Sequence, residues 1–391
     1  MNELGSADFI DFGSLLNEQE ALVRRTTRQF VEERFKPLIR KCFREGCFPF
    51  ELVSELGDLG FFGANLSGYG CAGMSEVEYG LLMQELERGD SGLRSFVSVQ
   101  GSLSMYCVRK YGSEKQRKKW LPDMAAGRKL GCFGLTEPAF GSNPSGMLTR
   151  AREDGNGFVL NGEKTWITNG SVADVAIVWA KLNDTDEIRG FLVEKGSSGF
   201  TTSDLHNKLS MRASTTSSLA FSDCRIPAEN ALPGAIGLKA ALDCLSQART
   251  GIGWGVIGAA MECYETAREY TVLRKQFDGR PIASHQLVQN ELAWMITEIS
   301  KAQLLALHVS RLKENGKAHH SQVSMVKRNN AWMALEVARR ARDLLGANGI
   351  TDEYPVFRHM ANLETVKTYE GTHNIHTLAI GARVTGVSAY L

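Results

Sequence analysis

Residues 157–170 read GFVLNGEKTWITNG, and they decide the fold because they interrupt a helical pattern. Before them, from NEQEALVRRTTRQFVEERFKPLIRKCF to about residue 128, apolar residues recur at intervals of three and four, as in amphipathic helices, with glycine-rich breaks such as LSGYGCAG. In 157–170, and again in VADVAIVWAKL, RGFLVEKG and SLAFSDCRIP, short runs bounded by turn residues take over, which is the signature of strands. Asn161-Gly162 lies between two β-like runs and predicts a hairpin. After Gly237 three long helical patterns return, beginning KAALDCLSQ, SHQLVQNEL and SQVSMVKRN. The expected fold is mainly α with a middle β domain: helices over 1–128, a β domain over 129–235 and a helical bundle over 236–391.

A chain of 391 residues suits two or three domains and a large buried interior. With 45 Lys+Arg against 44 Asp+Glu, the net charge of +1 offers no overall attraction to nucleic acid or to an acidic membrane surface. The eight cysteines form no paired framework, and the spacing of Cys42 and Cys47 suits no common zinc ligand set, so a reducing compartment is expected. The N-terminus has neither an apolar signal core nor an Arg-rich transit pattern, and no apolar run reaches the ~18 residues of a membrane span. A bacterial cytoplasm is the expected location, or a mitochondrial matrix for a processed protein.

Several patterns mimic sites. Gly253, Gly255 and Gly258 match G-x-G-x-x-G, but LDCLSQAR before them reads as helix rather than strand, so close helix packing, at a subunit contact, replaces a dinucleotide site. His373 and His376 have no accompanying ligand cluster, His319-His320 reads as a loop pair, and no metal site is expected. No G-x-S-x-G elbow supports a hydrolase.

Near the C-terminus, KTYEGTHNIH (367–376) sets Glu370 among poor helix formers, Tyr369, Gly371 and Thr372, so the helix should break there. Three other stretches carry chemistry with it. CFGLTEPAFGSNPSG (132–146) is a loop rich in glycine and hydroxyls, with Thr136 and Ser142 able to hold flavin edges or phosphates. KTWITNG (164–170) places Trp166 and Thr168 on one side of a strand. LRKQFDGRPIASHQ (273–286) offers Arg274 to a pyrophosphate and Phe277 to an adenine, and RDLLGANG (342–349) ends a helix at glycine with free N–H groups. Each alone has a plain structural reading.

In this order, the stretches resemble the acyl-CoA dehydrogenase family over nearly the whole chain. The resemblance implies an N-terminal helical domain, a β domain, a C-terminal four-helix bundle, FAD at a subunit interface and a homotetramer. It makes Glu370 the base that removes the α-proton of an acyl-CoA while the β-hydride leaves for the flavin. The thioester oxygen would be held by the Glu370 N–H and a flavin hydroxyl, and desolvation must raise the carboxylate above its ordinary pKa of about 4.3. Relatives that carry the base beside the arginine matching Arg249 have a carboxylate there, whereas this chain has Ala248. By the same resemblance Phe133, Leu135, Thr136, Gly141, Ser142, Trp166, Ile167, Thr168, Arg274, Phe277, Gln286, Gly346, Ala347, Thr372 and Asn374 hold FAD.

ELERGDSGLRS (85–95) resembles the glutaryl-CoA dehydrogenase branch, in which Arg94 clasps the distal carboxylate of the substrate and Ser95 adds a hydrogen bond. Glu87, Ser142, Arg249, Tyr369 and Gly371 complete the implied acyl-CoA site. A simple fatty acyl tail would leave a buried Arg94 unpaired. Glu87, seven residues earlier, can share its helix face, and Glu87 and Tyr369 match decarboxylating members, whose product is crotonyl-CoA. Electron-transferring flavoprotein is the implied acceptor. Departures are Asn143, Asn374, Ala347, Leu93 and a longer loop at Asp278-Gly279. The alternatives are another short-chain or dicarboxylyl CoA, an oxygen-using flavin oxidase or monooxygenase, and a scaffold without cofactor.

Overall fold

The computed structural model describes residues 6–390. Its N-terminal third is helical: α1 (Glu18–Phe30), α2 (Lys36–Glu45), α3 (Val53–Asp58), α4 (Glu76–Gly89), α5 (Ser91–Ser98), α6 (Tyr106–Tyr111) and α7 (Glu114–Ala125). Reciprocal capping starts three of them, through Asn17 and Glu20 in α1, Ser75 and Glu78 in α4, and Ser113 and Gln116 in α7. The LSGYGCAG break folds as a small ribbon, β1 (Ser67–Gly68) against β2 (Cys71–Ala72). α4 is buried almost all round, so neighbours pack on every face of it.

The middle segment is one mixed sheet of β3 (Gly131–Gly134), β4 (Arg150–Asp154), β5 (Gly157–Thr168), β6 (Val175–Leu182), β7 (Ile188–Glu194), β8 (Phe200–Asp204), β9 (Thr216–Pro227) and β10 (Ala231–Ile236). The order is β10-β7-β6-β4-β5-β9-β8, with β3 parallel to β6. β6 explains its unbroken apolar run. Val175, Ile177 and Trp179 face a core shared with the helices, while Ala176, Val178 and Ala180 face a second core within the β domain.

The predicted hairpin at Asn161-Gly162 is not there. β5 runs straight through both residues, and the β4–β5 turn lies where Asp154 pairs with Gly157. Gly162 instead marks a register shift against β9: its φ is +142°, and a Cβ there would lie 2.7 Å from the Thr149 Cα. A second shift falls between Lys164 and Ile167, where Trp166 has a φ of +61°. Plain strand alternation therefore fails at Trp166, whose indole is exposed, while Ile167 is buried and Thr168 half-buried.

The last third holds α8 (Leu238–Leu273), a ribbon of β11 (Lys275–Gln276) and β12 (Arg280–Pro281), then α9 (Gln286–Glu314), α10 (His320–Leu344), α11 (Val356–Thr368) and α12 (His373–Thr385). The glycines of α8 serve packing inside this chain, not the subunit contact expected for them. A Cβ at Gly258 would lie 1.8 Å from the Gln84 carbonyl oxygen, one at Gly255 2.1 Å from Glu87 Oε2, and one at Gly253 2.5 Å from Val326 Cγ1. α8 is thus pressed against α4 and α10 through missing side chains. The expected fold class, helices around a middle sheet, is the one observed.

Candidate active site

The helical run breaks at Tyr369–Thr372, as its residue types require. α11 ends at Thr368, and α12 begins at His373 under the Thr372 hydroxyl, which accepts from the Ile375 N–H at 3.2 Å. Between them Glu370 has a φ of +51° and Gly371 a φ of +98°. A non-glycine residue in this region carries strain of about 1–3 kcal/mol and persists where its surroundings enforce it. Two cations do so. Lys327 Nζ on α10 donates to the carbonyls of Tyr369 at 2.9 Å, Gly371 at 2.8 Å and Lys367 at 3.4 Å. Arg249 Nε on α8 donates to the Glu370 carbonyl at 2.7 Å.

The Glu370 residue as a whole is half-buried, but its Oε2 is sealed and has no hydrogen-bond partner. Burial pushes its carboxyl above the ordinary range, against the pull of Arg94, Arg249 and Lys327. A carboxylate with one oxygen left without donors and out of water is a stronger base than a fully solvated one. This is what proton removal from carbon needs.

Arg94 is fully buried. Its Nε donates to Glu87 Oε2 at 2.7 Å, a terminal nitrogen donates to the Tyr369 hydroxyl, and the guanidinium lies 5.7 Å from the centre of that ring. Burial opposes the charge, but Glu87 and Tyr369 outweigh it and hold Arg94 firmly protonated. Glu87 also accepts from the Ser91 hydroxyl at 2.8 Å. The shared face is built by two helices rather than one, because α4 stops and α5 restarts at Asp90. The pairing corrects one expectation. Arg94 already has an anionic partner in this chain, so a fatty acyl tail would not leave it bare; what a substrate carboxylate can add is a bond to Nη1. Ser95 is buried beside Arg94 on α5.

The residues expected around the cofactor fall into two groups. Phe133, Leu135 and Ile167 are buried in the β domain, while Gly141, Ser142 and the Trp166 indole, 64% exposed, face outward with Thr136 and Thr168 half-buried between. Arg274, Phe277, Gln286, Gly346 and Ala347 all stand exposed on the bundle, Phe277 at 77%. Among the described residues no hydrogen bond, ion pair or ring contact joins the groups. Thr372 spends its hydroxyl on the α12 cap, and Asn374 is exposed on the first turn of that helix. The β-domain group fits a flavin. It combines an outward aromatic face held at a strand bulge with hydroxyls of Thr136, Ser142 and Thr168 that bond nothing else in the described chain.

Two buried ion-bearing groups escaped the sequence reading. Lys164 Nζ pairs with Glu137 Oε1 at 2.8 Å, and Glu137 also accepts from the Leu148 and Thr149 N–H groups at 2.6 and 3.0 Å, which pins the 132–146 loop to β5. Burial lowers Lys164 to about 8 despite Glu137. Lys327 is the other. Val323, Lys327, Asn330 and Ala334 form the buried stripe of α10, so the spacing itself placed a lysine where an apolar residue belongs.

Comparisons with known proteins identify the family. The domain families described as acyl-CoA dehydrogenase N-terminal, middle and C-terminal match residues 17–128, 132–224 and 236–385. The mitochondrial short-chain specific acyl-CoA dehydrogenase of Rattus norvegicus is 34% identical over 378 residues, covering 94% of this chain and 90% of its own. A crystal structure of glutaryl-CoA dehydrogenase from Mycobacterium smegmatis is 52% identical with a TM-score of 0.97, covering 99% of this chain and all of the other. A glutaryl-CoA dehydrogenase of the same organism in complex with FADH2 is 51% identical with the same score and coverage. A structure described as the electron transferring flavoprotein of Acidaminococcus fermentans is 32% identical with a TM-score of 0.91, covering 95% and 98%. The chain therefore belongs to the acyl-CoA dehydrogenase family and is an FAD-dependent enzyme of that family.

Proposed function

We propose that the enzyme oxidises glutaryl-CoA and releases carbon dioxide to give crotonyl-CoA. The observation that carries this reading is the buried Arg94, held by Glu87 and Tyr369 in the wall that also carries Glu370. Nε and one terminal nitrogen of Arg94 are already bonded, which leaves Nη1 as the donor a substrate can meet. The far carboxylate of a five-carbon diacid is an acceptor that fits this donor. The similarity to glutaryl-CoA dehydrogenase at 52% identity points the same way.

In this reading Glu370 takes the α-proton, and the Arg249 and Lys327 contacts keep the turn, and hence the carboxylate, in place. FAD, held by the β-domain group and by Arg274, Phe277, Gln286, Gly346 and Ala347, supplies the acceptor for the β-hydride when bound. Arg94 orients the far carboxylate through Nη1. Once the α,β-bond is unsaturated that carboxylate can leave as carbon dioxide, and the protonated Glu370 is placed to return a proton to the carbon chain.

The separation of the cofactor residues into a β-domain group and an exposed bundle group supports a cofactor shared between copies, and a homotetramer is the assembly we infer. Electron-transferring flavoprotein is the acceptor we infer. No helix among the described residues is long and apolar enough to cross a membrane. The bacterial cytoplasm, or a mitochondrial matrix, is the location we infer.

One observation favours a second reading, oxidation of butyryl-CoA or a similar short acyl-CoA without decarboxylation: Glu87 already neutralises Arg94. Parallel assays separate the two. Glutaryl-CoA should be preferred and should yield crotonyl-CoA and carbon dioxide in equal amounts; preference for butyryl-CoA, or glutaconyl-CoA as the end product, defeats the first reading.

A further inference from the structure

Lys327 lies on a helix of the bundle, 1% exposed, and its ammonium reaches no carboxylate within bonding distance among the described residues. Instead it meets three backbone carbonyls of a single turn. Placing a lysine in such a setting is costly, and Lys327 is lowered to about 7 by burial, with Arg249 and Arg94 adding to the effect and Glu370 opposing it. An apolar residue of similar length would fill the α10 stripe without that cost. The cost needs a function to offset it, and the three carbonyls say which: they bracket Glu370, the residue at a φ of +51°.

We propose that Lys327 is a positioning residue for the reaction, holding the 367–371 backbone in its left-handed turn and so fixing where the Glu370 carboxylate points. The inference rests on Glu370 being the base. Two bonds, to Tyr369 and Gly371, are short, and a neutral amine keeps two hydrogens for them, so the hold survives loss of the charge. Arg249 fixes the carbonyl between these two from the opposite helix. Three successive carbonyls, 369 to 371, are thus tied to α10 and α8, and the turn cannot relax to a helical φ without breaking them.

The charge has a second effect. The groups facing Lys327 are Glu370 on the turn, Arg249 on α8, Arg94 on α5, and His373 and His376 on α12. His376 is pushed down to about 3 by burial, then by Lys327 and Arg249, and stays neutral. Glu370 is thus the anion that feels the ammonium. Lys327 pulls the Glu370 carboxyl down, so removing the charge must raise it and move the acid limb of turnover to higher pH.

The test uses FAD-loaded Lys327→Met and Lys327→Gln beside Glu370→Gln, with glutaryl-CoA and butyryl-CoA. FAD content and melting temperature are recorded with kcat, KM, the pH profile and exchange of the α-proton with deuterium oxide. Lys327→Met should keep FAD and hold KM within about twofold. It should lose about 10- to 100-fold in kcat and in α-proton exchange for both substrates, as expected for a base displaced by about 1 Å. Its acid limb should rise by about one pH unit. Lys327→Gln retains donors without charge; it should show the same rise in the limb with a smaller loss of kcat. If both variants keep the parent kcat and limb while Glu370→Gln is inactive, the positioning role is wrong and the base stands. If both lose FAD and melt early, Lys327 is merely structural, which also overturns the proposal. If Glu370→Gln itself turns over, the base assignment falls, and this inference with it.

Discussion

Around the 369–371 turn, cations from α5, α8 and α10 meet carbonyls and a carboxylate of the same chain, and Arg94 and Lys327 are fully buried. Around Arg274 and Phe277 similar residue types stand in the open, with Phe277 77% and the nearby Leu287 82% exposed. The first region is finished by the chain itself, down to the last carbonyl. The second leaves large apolar and cationic side chains in solvent, which suits a surface or ligand that comes from outside. In the proposed reading, proton removal and recognition of the substrate's charge draw on the folded chain alone, whereas cofactor retention draws also on what docks against the bundle.

Three substitutions break or sharpen that contrast. Glu370→Gln should have the largest effect: turnover falls by about 10³- to 10⁴-fold while FAD and acyl-CoA still bind, as read by steady-state kinetics and flavin absorbance. Arg94→Ala comes next. It strands the Glu87 carboxylate in a dry site at a cost of about 3–5 kcal/mol, so kcat/KM for glutaryl-CoA should fall at least 100-fold, with a lower melting temperature. Butyryl-CoA should lose less, and equal losses would deny Arg94 its selective role. Arg274→Ala should be the mildest, removing a charged hydrogen bond worth about 1.5–3 kcal/mol and raising the FAD dissociation constant about 10- to 100-fold. Unchanged FAD retention through gel filtration would take Arg274 out of the cofactor site.

The helix–sheet–helix layout was legible because period and composition change together near residues 129 and 236. The break at Glu370 was legible for a similar reason, since Tyr369, Gly371 and Thr372 disfavour a helix interior. Asn161-Gly162 misled. The dipeptide that favours a tight turn also suits a bulge, and only the close approach of Thr149 to Gly162 decides between them. The α8 glycines misled about their partner, because a missing side chain announces close packing without saying against what. Lys327 and the Glu137–Lys164 pair were hidden for another reason. Charged residues are read as solvated by default, and nothing local shows that three carbonyls or two N–H groups await them. The partnership of Arg94 with Glu87 was half visible: the spacing placed them together, but their bond satisfies the arginine before any substrate arrives.

The glycine contacts of α8 bear on how such an enzyme can change its diet. Gly258 sits under the Gln84 carbonyl, Gly255 under Glu87, and on the facing helix Gly80 leaves room for the Trp254 indole. Notches of this kind work like the teeth of a ratchet: neither helix can slide or roll by a fraction of a turn without collision. The reach from the turn to the guanidinium is then set by rigid rods and not by pliant loops. Descendants that process longer or shorter acyl groups would have to trade side chains inside the pocket, because stretching the frame is closed to them.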